Sequence, residues 1–309
     1  MHRKTQALLT ANNWYRYAIV ISSALSFITC LFIPLQSIAA TNAKGVEITF
    51  LLDGVLSDQS IAKSTATQNN LWARIKQGYG IPNISSKHTA KFEIFYTKHP
   101  EYVARMISRS QKYLFYVVEE VEKRGMPTEI ALLPMIESAY NPTAYSRSHA
   151  AGIWQFVPTT GKYFGLEQNW WSDNRRNVTA ATKAALDYLQ KLHNMFGSWD
   201  LALAAYNAGE GTVGRAIALN KHAGLPTDYQ NLKLPRETTE YVPKLQAIEN
   251  MVTHPEQYGL HITAIPNQAY FTEITPPFQI DAKVTAKLAE ISDEEFGLLN
   301  PSYKRPVIA

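Results

Sequence analysis

The sequence predicts a mainly α-helical protein with a small C-terminal appendage. Apolar residues recur at helical spacing in several windows. Prolines, glycines and capping residues fall at the ends of those windows. The extended pieces read from the chain are short and lie near Ile274 and Phe278.

The elements follow in order. Asn70 is placed to cap a helix carrying Leu71, Trp72 and Ile75, ending near Gly78–Pro82. Pro100 suits a first helical turn, because that position needs no backbone N–H. Leu114, Val117, Val118 and Val121 stand at i, i+3, i+4 and i+7, the stripe of an amphipathic helix that Arg124-Gly125 ends. Pro127 opens a helix expected to run through Ile130, Leu133 and Ile136 to about Ser138, with a kink at Pro134. Ala185, Leu189, Leu192 and Phe196 form a further stripe. Leu201–Tyr206 and Tyr241–Val252 read as two more helices. From about His261 the character changes, with breaks at Pro266, Pro276 and Pro277. Two short helices follow, the second starting at Ser292-Asp293-Glu294-Glu295 and stopping at Asn300-Pro301. There is no internal repeat.

The expected division is a leader over 1–40, lead-in helices over 41–100, a catalytic domain over 101–260 and a small extension over 261–309. Residues 1–40 carry Arg3, Lys4 and Arg16, no acidic residue, and an apolar run from Tyr17 to Leu35. A basic start, an apolar middle and the small-residue exit at Ala39-Ala40 are the signs of a secretory signal. The run is long for a signal, so a retained membrane anchor is the alternative. Lipidation at Cys30 is disfavoured, since Phe27-Ile28-Thr29 precede it where small residues are wanted. The expectation is export to the periplasm or cell envelope.

Composition excludes several classes. The 309 residues are 46% apolar and 18% charged, which argues against disorder. One cysteine excludes a disulfide scaffold and any multi-cysteine metal site. Thirty basic against 26 acidic residues give +4, too diffuse for a nucleic-acid partner. Three of the basic residues and none of the acidic ones lie in 1–40, so a chain lacking them is near +1 and cysteine-free. Such a domain suits an oxidising compartment without needing disulfides.

Eight histidines include no HExxH pair, and no serine sits in a GxSxG context. No metal or cofactor is expected. Gly209-Glu210-Gly211-Thr212-Val213-Gly214 matches GxGxxG but follows a helical run rather than a strand, so these glycines read as a tight turn near a ligand. Glu137 stands out. It follows five apolar residues at the end of a predicted helix. Desolvation and the negative end of the helix dipole both favour its protonated form. A carboxyl protonated near neutral pH is what a general acid needs. A carboxylate solvated or paired with Arg147 is the bland alternative. Gly152-Ile153-Trp154-Gln155 places an aromatic ring and an amide together. Tyr206-Asn207 with Gly209, and Tyr241, add groups suited to sugars.

Glu137-Ser138, the run Gly152–Gly161 (GIWQFVPTTG), the run Ala205–Gly211 (AYNAGEG) and Tyr241-Val242 occur in one order. Together they resemble the soluble lytic transglycosylase family, in its membrane-bound D-type branch, over about residues 70–305. The resemblance implies a lysozyme-like fold of the goose-type class around a groove for peptidoglycan glycan strands. It implies cleavage of the β-1,4 bond between N-acetylmuramic acid and N-acetylglucosamine with a 1,6-anhydro product. Glu137 would serve as acid and then base. Ser138, Gln155 and Trp154 would contact or orient substrate, Tyr241 would position Glu137, and Tyr206, Asn207 and Gly209 would line the groove. D-type members usually continue into LysM repeats, whereas residues 261–309 hold no complete one. Two other readings stay open. A lysozyme- or chitinase-like hydrolase would need a second carboxylate from Asp173, Asp200, Glu210 or Glu240. A glycan-binding protein would carry the same groove without catalysis.

Overall fold

The computed structural model describes residues 7–10, 69–84 and 86–308. The apolar run 17–35 and the cleavage position near Ala39-Ala40 lie outside the described residues. Among the described residues no helix is long and apolar enough to cross a membrane.

The chain is mainly helical, as the periodicity predicts. Helix α1 (Leu71–Gln77) is capped by Asn70, whose side chain accepts from the Trp72 N–H at 3.1 Å. Helix α2 (Lys87–Lys98) is capped by Ser86, and α3 (Pro100–Ser110) begins on Pro100. Helix α4 (Leu114–Lys123) buries its whole Leu114, Val117, Val118 and Val121 stripe. The single kinked helix expected over 127–138 is instead two pieces. A 3-10 turn (Thr128–Leu132) leads into α5 (Leu133–Ser138). Pro134 is the second residue of α5, where its missing N–H forfeits no helical hydrogen bond. The break therefore falls ahead of the proline, and α5 stays regular through Glu137.

After α6 (Pro158–Tyr163) comes α7 (Val178–Phe196), the longest helix among the described residues, packed along α8 (Trp199–Ala208). Gly209 has φ +83°, a turn conformation that glycine adopts without strain, and α9 (Glu210–His222) starts at once. Gly211 and Gly214 lie inside α9, so the glycine-rich turn expected there is confined to Gly209. A one-turn helix α10 (Arg236–Thr239) feeds α11 (Tyr241–Thr253), which is buried along most of its length against α2, α5 and α8.

One apolar core runs from Leu71 in α1 to Leu299 near the C-terminus, with the α5 residues Leu133, Met135 and Ile136 inside it. Strand β1 (Ala7–Thr10) pairs antiparallel with β2 (Phe271–Ile274), Ala7 opposite Ile274. The predicted leader thus contributes four residues to a sheet that the sequence reading does not anticipate. Strands β3 (Ile280–Asp281) and β4 (Val307–Ile308) pair antiparallel and flank α12 (Ala282–Leu288) and α13 (Asp293–Leu299). This strand–helix–helix–strand unit has its own small core of Ala286, Phe296 and Ile308. Ser292 accepts from the Glu295 N–H, the expected cap. The unit is tied to the helical body by the Tyr113 hydroxyl, which donates to the Leu298 carbonyl at 2.7 Å, and by the Lys112–Glu295 pair.

Candidate active site

Helix α5 places Glu137 one residue before its end. Ala139 and Tyr140 follow with φ +51° and +54°, which swings the chain off the helix axis. Their N–H groups return to the Met135 and Pro134 carbonyls and close the turn. The Tyr140 hydroxyl, itself buried, donates to Ala131 at 2.7 Å. The end of α5 is thus fixed from both sides.

Glu137 opens into a cleft of about 300 Å³. It is lined by Gln155, Phe156, Val157 and Thr160, by Tyr188 of α7, and by Tyr206, Asn207 and Gly209 at the end of α8. Burial pushes the Glu137 pKa up to about 7. The Tyr241 hydroxyl, donating to Oε1, and the Lys244 ammonium oppose that rise, while Glu237 adds to it. The carboxyl is therefore poised to give up a proton near neutral pH. Glu137 bonds Tyr241 here, and Arg147 makes none of its contacts.

The loop carrying Gln155 is held by a buried arginine. Arg175 donates to the His149 and Phe156 carbonyls at 2.6 and 3.1 Å and pairs with Asp173 at 2.7 Å. Gly152 has φ +80°, and a Cβ there would sit 2.1 Å from the Arg175 carbonyl oxygen, so only glycine fits. Gln155, at φ +51°, donates from Nε2 to the Gly152 carbonyl at 2.8 Å. The Ser138 hydroxyl joins α5 to this loop through the Ile153 carbonyl at 3.0 Å. The Tyr206 hydroxyl donates to the Trp154 carbonyl at 2.8 Å, and Asn207 accepts from Thr238 at 2.8 Å.

Five of the residues named from sequence therefore meet in one cleft: Glu137, Gln155, Tyr206, Asn207 and Gly209. Tyr241 touches Glu137 directly, and Ser138 braces the two segments. Trp154 is a correction. It is fully buried, and its Nε1 donates to Thr182 at 2.9 Å, so its ring is a core element and not a surface for sugars. Its position beside Gln155 in the motif is what suggested otherwise.

The four other acids are committed elsewhere. Burial would raise the Asp173 pKa, but its hydrogen bond and charge pairing with Arg175 hold it low. Glu210 accepts from Tyr188 and pairs with Lys191; Glu240 pairs with Lys91 and Arg236. Asp200 accepts from Ser198 and the Leu201 N–H. Sequence reasoning did not single out Tyr188, Thr160 or Lys244. Tyr188 lies within the apolar stripe of α7, so its periodicity signals core. Thr160 falls within the quoted motif, and Lys244 three residues after Tyr241, but neither has a signal of its own.

Residues 117–226 match the family model described as Transglycosylase SLT domain. The chain belongs to the soluble lytic transglycosylase family. It is 37% identical over 244 residues to membrane-bound lytic murein transglycosylase D of Escherichia coli (strain K12), covering 78% of this chain and 54% of that one. The chain thus spans about half the length of that relative. A protein of Alteromonas sp. (strain M-1), named for tributyltin chloride resistance, is 47% identical over 124 residues, 40% of this chain and 60% of that one. The solved 70 kDa soluble lytic transglycosylase of Escherichia coli superposes with a TM-score of 0.38 and 19% identity over 63% of this chain and 34% of that one. The family match ends before α11, so Tyr241 and Lys244 lie outside it.

Proposed function

We propose that this chain is a peptidoglycan lytic transglycosylase that works with one carboxyl group. The observation that carries the reading is Glu137. Its carboxyl sits in the cleft with a pKa of about 7, while Asp173, Asp200, Glu210 and Glu240 are each held by other partners, and Glu237, which neighbours Glu137, is not among the residues lining the cleft. Hydrolysis through a nucleophile or an activated water calls for two carboxyl groups at a set separation. Intramolecular attack does not. In the proposed reaction Glu137 protonates the glycosidic oxygen between N-acetylmuramic acid and N-acetylglucosamine, and the C1–O bond breaks. The muramic C6 hydroxyl attacks its own C1 and returns its proton to the Glu137 carboxylate. The product is the 1,6-anhydro sugar, no water is added, and the enzyme regains its starting protonation. The substrate acetamido oxygen steadies the positive charge at C1. Gln155 and Asn207 are placed to meet sugar polar groups, and Tyr206 forms part of the wall.

Export to the periplasm or cell envelope, through the leader over 1–40, is part of this proposal, since the substrate lies there. So is the assignment of 101–260 as the catalytic region. The test is Glu137→Gln, which keeps shape and removes the proton. Clearing of a purified cell-wall suspension should fall by about 10²- to 10⁴-fold while the circular dichroism stays native. A variant that clears at the wild-type rate would overturn the assignment of Glu137.

A further inference from the structure

Lys244 lies one helical turn after Tyr241 on α11, so the two side chains share a face. Both reach the end of α5. The Tyr241 hydroxyl donates to the Glu137 carboxyl, and Lys244 Nζ donates to the Ile136 carbonyl at 2.9 Å. The last carbonyls of a helix lack intrahelical partners and carry the negative end of its dipole. The Met135 and Pro134 carbonyls are taken by the N–H groups of Ala139 and Tyr140. The Ile136 carbonyl is taken by Lys244. No carboxylate stands within ion-pair distance of Lys244 among the described residues. Its charge is thus directed at a helix terminus and, through it, at the neighbouring Glu137.

We propose that Lys244 is a positioning residue for the reaction: it holds the last turn of α5 and sets the protonation range of Glu137. This rests on Glu137 being the acid. The groups facing Glu137 are Tyr206 of α8, Glu237 of α10, and Tyr241 and Lys244 of α11. Lys244 is the cation of that set. The buried carboxyl is held by burial toward the neutral form, and Glu237 pushes the same way. Lys244 and Tyr241 pull the other way. Removing the ammonium therefore lets Glu137 keep its proton to higher pH.

Lys244→Gln retains an N–H donor without charge, Lys244→Met retains neither, and Lys244→Arg retains charge. The measurement is the pH profile of kcat/KM on purified murein, whose basic limb reports loss of the Glu137 proton in the free enzyme. The limb should move up by about half to one pH unit in Lys244→Gln and Lys244→Met and stay in place in Lys244→Arg. A merely structural lysine would change the amplitude without moving the limb. Titration of the Glu137 carboxyl carbon by ¹³C NMR, identified by its loss in Glu137→Gln, reads the same shift without turnover. It therefore decides the role of Lys244 even if the wild type fails to cleave murein. An unmoved titration in Lys244→Gln would overturn the proposal, as would an Arg variant that shifts as far as the Gln variant.

Discussion

At the residue scale, the chemistry turns on how Glu137 can be both enclosed and reachable. Enclosure supplies the raised pKa, and the cleft supplies access. The sign of the pH effect follows. In the proposed reaction the acid acts in its protonated form, so kcat/KM should fall through about pH 7 and lose about tenfold per unit above it. Tyr241→Phe removes a hydrogen bond that lowers the Glu137 pKa, so its basic limb should shift to higher pH; a shift to lower pH would contradict the role given to that hydroxyl. Trp154 gives a different prediction. As a fully buried ring, Trp154→Ala should cost about 3–5 kcal/mol in urea unfolding. Trp154→Phe should keep most of the activity, and a selective loss of glycan affinity in a well-folded Phe variant would restore the ring to the binding surface. The enclosure of Glu137 was legible from the five apolar residues before it near a helix end, but its choice as the candidate acid came from the motifs that follow it in order. The fate of Trp154 was not legible, since an aromatic in a motif reads alike whether it faces a ligand or the core.

At the scale of elements, the site depends on how α5, the Gln155 loop and α11 are fastened together. The fastening is polar and largely buried. Arg175 carries much of it, and Gly152 lets the Arg175 backbone approach. Arg175→Met should destabilise the fold by about 3–5 kcal/mol, because Asp173 is left buried without its partner. Activity should fall with it, as the loop bearing Gln155 loses two carbonyl anchors. Retention of both stability and activity would show that the loop is held by other means. The helices themselves were legible from their stripes. Their fine division was less so. Pro134 marks a disturbance, but the sequence does not say on which side of it the chain changes from a 3-10 turn to an α-helix. The pairing of β1 with β2 was hidden, because residues 7–10 carry the signature of a leader and contacts across more than 260 residues leave no local pattern.

At the scale of the molecule, the core holds a pair of buried acids besides Glu137, one just ahead of α5 and one on α11. Glu129 is fully buried and accepts from the Gly80 and Ile81 N–H groups at 2.8 and 2.7 Å. Glu249, held by Gln246 at 3.1 Å, has its pKa pushed up to about 7, by burial first and by Glu129 second. A carboxyl whose folded pKa lies above its unfolded value favours folding when protonated. That contribution is whole below about pH 4.3 and is lost as pH rises to about 7. Glu249→Gln should therefore unfold at a higher temperature than wild type at pH 8, with the gain shrinking toward pH 5. A gain independent of pH would contradict the buried-acid account. Neither acid announced itself in sequence, since each sits at an ordinary helical position and becomes unusual only when α11 packs beside the 3-10 turn.

The most direct test of the central claim is mass spectrometry of purified murein digested with the wild-type chain. Muropeptides ending in 1,6-anhydro-N-acetylmuramic acid, lighter by one water than hydrolytic products, are the expected result, and they should disappear with Glu137→Gln. Reducing-end N-acetylmuramic acid as the main product would contradict the claim, and would direct attention back to a second carboxylate.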